Sequence, residues 1–266
     1  MFDLYGDYVR YRGGEISLRA LAAALACFGV SEDSARITVS RMSREGWLAA
    51  RRLGRRSYYS LTPRSWHLLD EGRPRIFQRG QRPWDGQWCL LLYSVPEADR
   101  LVRTRLRKAL AWLGFGALAP STWLSPHDQS ARLDALLAEH GLADRAQIFF
   151  ARSRQQAEDR ALVERCWDLA GLEQRYTAFL ATYGPRQRAY AAGALSDEQC
   201  FVERIRLVDD YRQFPFLDPD LPTALLPPAW RGEQAHRVFV AAYEALRAPA
   251  FRYFDALVEA APPSGQ

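Results

Sequence analysis

The residues with the clearest chemistry are guanidinium groups on one short stretch. From Ser31 to Leu61 the sequence reads SEDSARITVSRMSREGWL and then AARRLGRRSYYSL. Ala35, Thr38, Val39 and Met42 recur at intervals of three and four, which makes one apolar stripe of a helix. The opposite face carries Asp33, Arg36, Ile37, Ser40, Arg41 and Arg44, with Ser34 at its start. A planar guanidinium donates two parallel hydrogen bonds to a guanine edge or to a phosphate, so such a face suits the major groove of a duplex. Arg36 and Ser40, nearer the helix start, are the candidates for base edges. Arg41 and Arg44 suit phosphates or a neighbour such as Glu45. A charged helix face by itself is more often solvated than bound.

The elements that must hold this face are legible on either side. Ser31 has the hydroxyl of an N-cap, Glu32 and Asp33 lie at the positive helix end, and Gly46 suits the C′ position. Next, an apolar/polar alternation breaks at Gly54, which predicts a hairpin whose turn is flanked by Arg51, Arg52, Arg55 and Arg56. Arg55 and Arg56 at its tip are candidates for phosphate or minor-groove contacts. The bland alternative is a charged hairpin that protects its own edge. Upstream, Asp3 to Arg10 predicts a short helix with Leu4, Tyr5 and Tyr8 inward, closed by Gly13-Gly14. Ser17 caps a second helix, Leu18 to Cys27, which turns at Phe28-Gly29-Val30. Thr62-Pro63 opens another, from Arg64 to about Glu71. Two helices on a glycine turn, the second rich in arginine, followed by a basic hairpin, make a winged helix-turn-helix over residues 1–72.

Composition bounds the rest. The chain has 266 residues and a formal charge of +5, which is compatible with a nucleic-acid partner without requiring one. Lys108 is the only lysine, and a GC-rich genome explains that bias as well as function does. Cys27, Cys89, Cys166 and Cys200 form no Cys-x-x-Cys pair and are expected as free thiols of a reducing compartment. The sequence opens without a signal-peptide pattern and has no apolar run long enough to span a bilayer, so a cytoplasmic protein is expected.

Arg73 to Gly86, rich in Arg, Gly, Pro and Gln, reads as a linker (73–86). Beyond it Trp88 to Val95 reads as a buried strand and Arg100 to Leu113 as a helix. Phe115 to Ala119 and Thr122 to Ser125 are short extended runs, Ser130 to His140 a second helix, and Arg145 to Arg152 a last strand. Strand, helix, strand, strand, helix, strand is the ferredoxin-like βαββαβ order, here over 87–154. Residues 155–266 are mainly helical, with stripes at Leu162, Cys166, Leu169 and Ala170 and at Tyr176, Phe179, Leu180 and Tyr183. Glu198 to Phe214, Gln234 to Leu246 and Phe251 to Val258 are further helices. Pro215 to Trp230 is a connector that must be ordered if its leucines are buried, and Pro262 to Gln266 a loose tail. The fold class expected is therefore α+β and multidomain.

Several motifs then fall in one order along the chain: Tyr5-Gly6-Asp7-Tyr8, Arg12-Gly13-Gly14-Glu15-Ile16, Arg44-Glu45-Gly46-Trp47-Leu48, and Gly54 to Thr62. Trp84-Asp85-Gly86-Gln87-Trp88, Trp112-Leu113-Gly114-Phe115-Gly116, Trp167-Asp168-Leu169 and Phe216 to Pro222 continue it. Together they resemble the PaaX family of bacterial transcriptional repressors, from which this sequence departs in having fewer residues ahead of the first motif. The resemblance implies three domains: the winged helix-turn-helix, a central ferredoxin-like domain similar to a small CRISPR-associated nuclease, and a helical C-terminal domain. It implies a homodimer on an inverted-repeat operator in double-stranded DNA, repressing genes of aromatic (phenylacetate-type) degradation. It also implies release by an aryl-CoA thioester such as phenylacetyl-CoA, with no cofactor and no membrane. Trp167, Trp230, Tyr176, Tyr211 and Phe254 are candidates to line an aromatic-acyl pocket, although most such aromatics are simply core. Arg204, Arg206 or Arg212 would suit the CoA phosphates, and the sequence does not choose among them.

Two rival classes remain. A metal-dependent nuclease needs carboxylates gathered around divalent cations. Tyr93-Ser94-Val95-Pro96 ends the first central strand without an acid, and Glu97 and Asp99 are explained by a helix start. His67, His127, His140 and His236 have no zinc spacing, and no nucleophile elbow or phosphate loop occurs. No catalytic or metal residue is therefore assigned. The other rival is a ligand-binding or protein-interaction module that does not meet DNA.

Overall fold

The computed structural model describes residues 1–78, 83–96 and 99–260. The chain begins with helix α1 (Phe2–Asp7) and a 3₁₀ turn (Val9–Arg12), then strand β1 (Glu15–Ser17), α2 (Leu18–Ala26), α3 (Glu32–Arg44), β2 (Leu48–Leu53), β3 (Arg56–Leu61) and α4 (Pro63–Phe77). Next come β4 (Trp88–Tyr93), α5 (Arg100–Trp112), β5 (Gly116–Ala119), β6 (Thr122–Ser125), α6 (Ser130–Glu139) and β7 (Ala146–Ala151). The remainder is helical: α7 (Gln156–Cys166), α8 (Leu169–Tyr183), α9 (Gln187–Ala191), α10 (Asp197–Tyr211), α11 (Phe214–Leu217), α12 (Gly232–Ala245) and α13 (Arg247–Glu259). Glu97, part of the expected linker and the expected tail lie outside the described residues.

The chain forms two compact bodies. One contains Met1–Gln78, Phe179–Arg212 and Gln234–Gln266; the other contains Arg79–Ala178 and Gln213–Glu233. In the first, β1, β3 and β2 make an antiparallel sheet with β3 in the middle, so a third strand joins the expected hairpin. At three residues β1 is too short to show a period in sequence. Leu4, Tyr5, Tyr8, Leu21, Ala35 and Val39 are buried, as their spacing predicts, and so is Leu48 at the start of β2. Helices α10 and α13 complete this core: the Tyr8 ring lies 5.2 Å from Phe201 and 5.0 Å from Phe254, centroid to centroid. Trading the water around these aromatic rings for packed neighbours is the main driving force for holding residues far apart in sequence together.

Local differences from the sequence reading have physical causes. The expected first helix divides after Asp7 into an α-helical and a 3₁₀ part, which ends at Gly13 with φ +79. Helix α4 does not stop near Glu71 but runs through Pro74 to Phe77. A proline inside a helix normally breaks it. Here the Phe77 ring is anchored 5.4 Å from Phe239 and 4.7 Å from Tyr243, which holds the last turn. The expected helix over Glu198 to Phe214 ends at Tyr211, and a separate short α11 follows.

In the second body the sheet order is β5-β6-β4-β7, antiparallel throughout. Leu91, Tyr93 and Trp123 pack on one side with Leu106 and Leu110 of α5 and Leu133 and Leu137 of α6. Trp88 and Leu124 belong to a second cluster with Val163, Leu169, Leu221 and Leu225. The connector after Pro215 is thus ordered, with Leu221 and Leu225 buried, while Leu217 stays exposed. Trp88 Nε1 donates 2.8 Å to Asp159 Oδ1, which satisfies a buried carboxylate.

Candidate nucleic-acid interface

Helix α3 is built to expose one face. Ser31 Oγ accepts the backbone N–H of Ser34 at 3.2 Å. At the other end Trp47 N donates to Met42 O (2.9 Å) and Gly46 N to Ser43 O (3.2 Å), with Gly46 at φ +75. Both ends are therefore capped, the second by a Schellman motif, and the helix cannot readily fray. Ala35, Val39 and Met42 are buried, so rotation about the helix axis is fixed by packing. Ser34, Arg36, Ile37, Ser40, Arg41 and Arg44 are all exposed, Ile37 at 69%. An isoleucine so exposed between arginines is a poor solvent-facing residue and a good partner for a thymine methyl.

Strands β2 and β3 pair from Leu48↔Leu61 to Leu53↔Arg56, which leaves Gly54-Arg55 as a two-residue turn. Gly54 has φ +59, a left-handed conformation that glycine adopts without strain. Arg51, Arg52 and Arg55 are exposed and Arg56 is half-buried. Thr62 Oγ1 donates to Gly46 O at 2.9 Å and Ser65 Oγ to Trp47 O at 2.7 Å, which ties the hairpin base to the end of α3.

The ten predicted residues differ in electrostatic state. Arg36 is ion-paired one helical turn back with Glu32, its Nε 3.2 Å from Oε1, which keeps the guanidinium firmly protonated. Arg51 crosses β3 to Glu15 of β1, Nε to Oε1 2.9 Å, and lies 5.5 Å over the Tyr58 ring. That hydrogen bond holds the Glu15 carboxyl below the usual range. Among the described residues Arg41, Arg44, Arg52 and Arg55 make no ion pair. Sequence reasoning did not assign Glu32 and Glu15 to this surface. The i,i+4 spacing of Glu32 and Arg36 was the available signal for one, whereas Glu15 depends on sheet pairing.

The other predicted residues do not belong to this surface. Arg204 is 1% exposed, so it does not present a cation to solvent. Its Nε donates to Tyr243 O (3.2 Å), its guanidinium lies 3.8 Å over the Tyr243 ring, and Nη1 is 3.6 Å from Asp7 Oδ2. Arg206 and Arg212 are exposed and pair with Glu203 and Asp209. Trp167, Tyr176 and Trp230 belong to the second body, and Tyr211 and Phe254 to the first. Asp99 is an exposed N-cap residue of α5 without a side-chain cap bond. Among the described residues no three His, Cys, Asp or Glu side chains gather as a metal site, and no helix is long and apolar enough to cross a membrane. All four cysteines are free thiols.

Comparison with known proteins identifies the architecture. Residues 1–65 match the PaaX-like protein model, 81–163 the PaaX protein central Cas2-like domain, and 167–256 the PaaX-like protein C-terminal domain. The transcriptional repressor PaaX of Escherichia coli (strain K12) is 39% identical over 249 residues, 91% of this chain and 78% of the relative. The chain belongs to the PaaX family. Its mixed α and β content is thus divided, as in PaaX proteins, into N-terminal, central Cas2-like and C-terminal parts. The named relative is a repressor, not an enzyme. An uncharacterized protein, Rv0674 from Mycobacterium tuberculosis, shares the fold with a TM-score of 0.63 over 95% of each chain at 24% identity.

Proposed function

We propose that this PaaX-family protein is a cytoplasmic, sequence-specific DNA-binding repressor whose N-terminal part is a winged helix-turn-helix with α3 as recognition helix. The observation that carries this reading is the fixed rotation of α3. Burial of Ala35, Val39 and Met42 leaves Arg36, Ile37, Ser40, Arg41 and Arg44 outward beside a basic hairpin. Arg36 and Ser40 read base edges once Arg36 exchanges Glu32 for guanine. Ser34, Arg41, Arg44, Arg52, Arg55 and Arg56 bond phosphates or the minor groove, and Arg51 supports the hairpin from its pair with Glu15. The strand order β7-β4-β6-β5 supports a ferredoxin-like central domain. Two copies would present their recognition helices roughly 34 Å apart to an inverted repeat.

The repressed genes are those of aromatic, phenylacetate-type degradation, and an aryl-CoA thioester such as phenylacetyl-CoA releases the protein. The effector favours a form with the wrong half-site spacing and so shifts the population off DNA. The test is a gel-shift titration on the DNA upstream of the protein's own gene, with and without phenylacetyl-CoA. Retardation by the wild-type protein and roughly tenfold or greater loss for Arg36→Ala are expected. No retardation at low salt would refute DNA binding; retardation indifferent to phenylacetyl-CoA would refute the effector alone.

A further inference from the structure

A groove of about 330 Å³ opens between the start of α2, the first turn of α3 and the hairpin tip. Four guanidinium-bearing residues line it: Arg19, Arg36, Arg55 and Arg56. Glu32 is the one acid in the lining, and Arg36 holds it. Gathering this many cations around one anion raises the free energy of the empty groove and favours any anion that enters. The α2 end adds to this. Ser17 Oγ caps the helix by accepting Ala20 N at 3.2 Å, while the amides of Leu18 and Arg19, in the first turn, have no acceptor within the helix.

We infer that this groove seats one phosphodiester of the DNA backbone, with Arg19 as a ligand that neither the motif pattern nor the recognition helix identifies. The inference rests on the DNA-binding reading above and extends it from α3 to α2. A backbone phosphate, and not a free anion, is the occupant because Arg36 belongs both to the groove lining and to the exposed face of α3. An anion held there is adjacent to the bases that α3 would read. Seating it fixes the depth and tilt of α3 in the major groove: phosphate contacts position and base contacts specify.

The experiment uses full-length Arg19→Ala, an exposed helix position where alanine is well tolerated. Fluorescence anisotropy is read on the upstream DNA and on an unrelated duplex between 50 and 200 mM salt. Arg19→Ala should weaken both complexes by the same factor and make the salt slope shallower by about one per protomer. The wild-type advantage then shrinks about threefold per protomer across that salt range. Single methylphosphonates are scanned along the duplex. One position should cost the wild type clearly more affinity than it costs Arg19→Ala, because the variant has already lost the Arg19 contact to that phosphate. Wild-type binding with an unchanged Arg19→Ala slope overturns the inference and leaves the DNA reading standing. A loss confined to the upstream DNA makes Arg19 a base reader, which also overturns it. Competition by inorganic phosphate at constant ionic strength, with no sensitive methylphosphonate position, makes the groove a free-anion site and overturns it too. Failure of the wild type on both duplexes refutes the DNA reading itself.

Discussion

Replacing Arg204 with methionine tests how the N-terminal segment is held to the C-terminal helices of the first body. Asp7 is 4% exposed and Arg204 1%, so neither charge is solvated by water. Burial pushes the Asp7 carboxyl up, against the opposing pull of Arg204 at 3.6 Å and of the Tyr243 hydroxyl, which donates to Oδ1 at 2.9 Å. Burial also works against the charge on Arg204, but Asp7 and the surrounding tyrosines outweigh it and its pKa is raised. Arg204→Met keeps most of the volume and removes the cation. Truncating one member of a buried pair costs about 3–5 kcal/mol, because the other charge stays behind. For a chain of this size that lowers the melting temperature by roughly 10 °C.

The loss should depend on pH in a definite direction. Without the guanidinium, the folded-state pKa of Asp7 rises further above its unfolded value. Its contribution in the variant is then fully present below the unfolded pKa and is lost as pH rises through the folded one. The gap between variant and wild type should therefore be small near pH 4–5 and widen toward pH 8, by at most about 1.4 kcal/mol per pH unit. Asp7→Asn combined with Arg204→Met should recover most of the loss, since the cation that remains near position 7, Arg73 at 3.9 Å, is partly exposed to water. Urea denaturation followed by circular dichroism at pH 5 and pH 8 measures all of this. A loss below about 1 kcal/mol, or one equal at both pH values, would refute the argument.

Gly116→Ala should destabilise by about 1–3 kcal/mol in the same urea assay, because the added Cβ would meet Cys166 Cβ at 2.6 Å and the Trp167 ring at 2.7 Å. Trp88→Phe removes the indole N–H that Asp159 accepts and should cost about 1–3 kcal/mol, partly restored by Asp159→Asn. Ser31→Ala should cost about 1 kcal/mol through the lost cap of α3, visible as faster amide exchange at Ser34. Glu32→Gln removes an anion from the proposed DNA surface. It should raise affinity for unrelated duplex several-fold and steepen the salt slope; unchanged affinity and slope would count against that surface.

What the sequence determined by itself is local. Caps, turns and periodic stripes depend on interactions within a few residues, so the Ser31 cap, the Gly46 stop and the Gly54 turn could be read directly. The inward and outward faces of α3 followed from the same arithmetic, since Ala35, Val39 and Met42 share one side of a 3.6-residue repeat. The strand-helix alternation of the central part was legible for that reason too. What only the tertiary structure decided depends on partners distant in the chain. Arg204 looked like a free cation, yet it occupies the inward stripe of α10 between Phe201 and Val208, where Asp7 from the far end of the sequence meets it. The continuation of α4 past Pro74 is secured by Phe239 and Tyr243, and the pairing of Arg51 with Glu15 needs β1 at the sheet edge. Arg19 has no motif around it and gains a role only because α2, α3 and the hairpin tip enclose one groove. Sequence spacing encodes which way a side chain turns on its own element; which residue it then meets is fixed by long-range packing, which no local pattern contains.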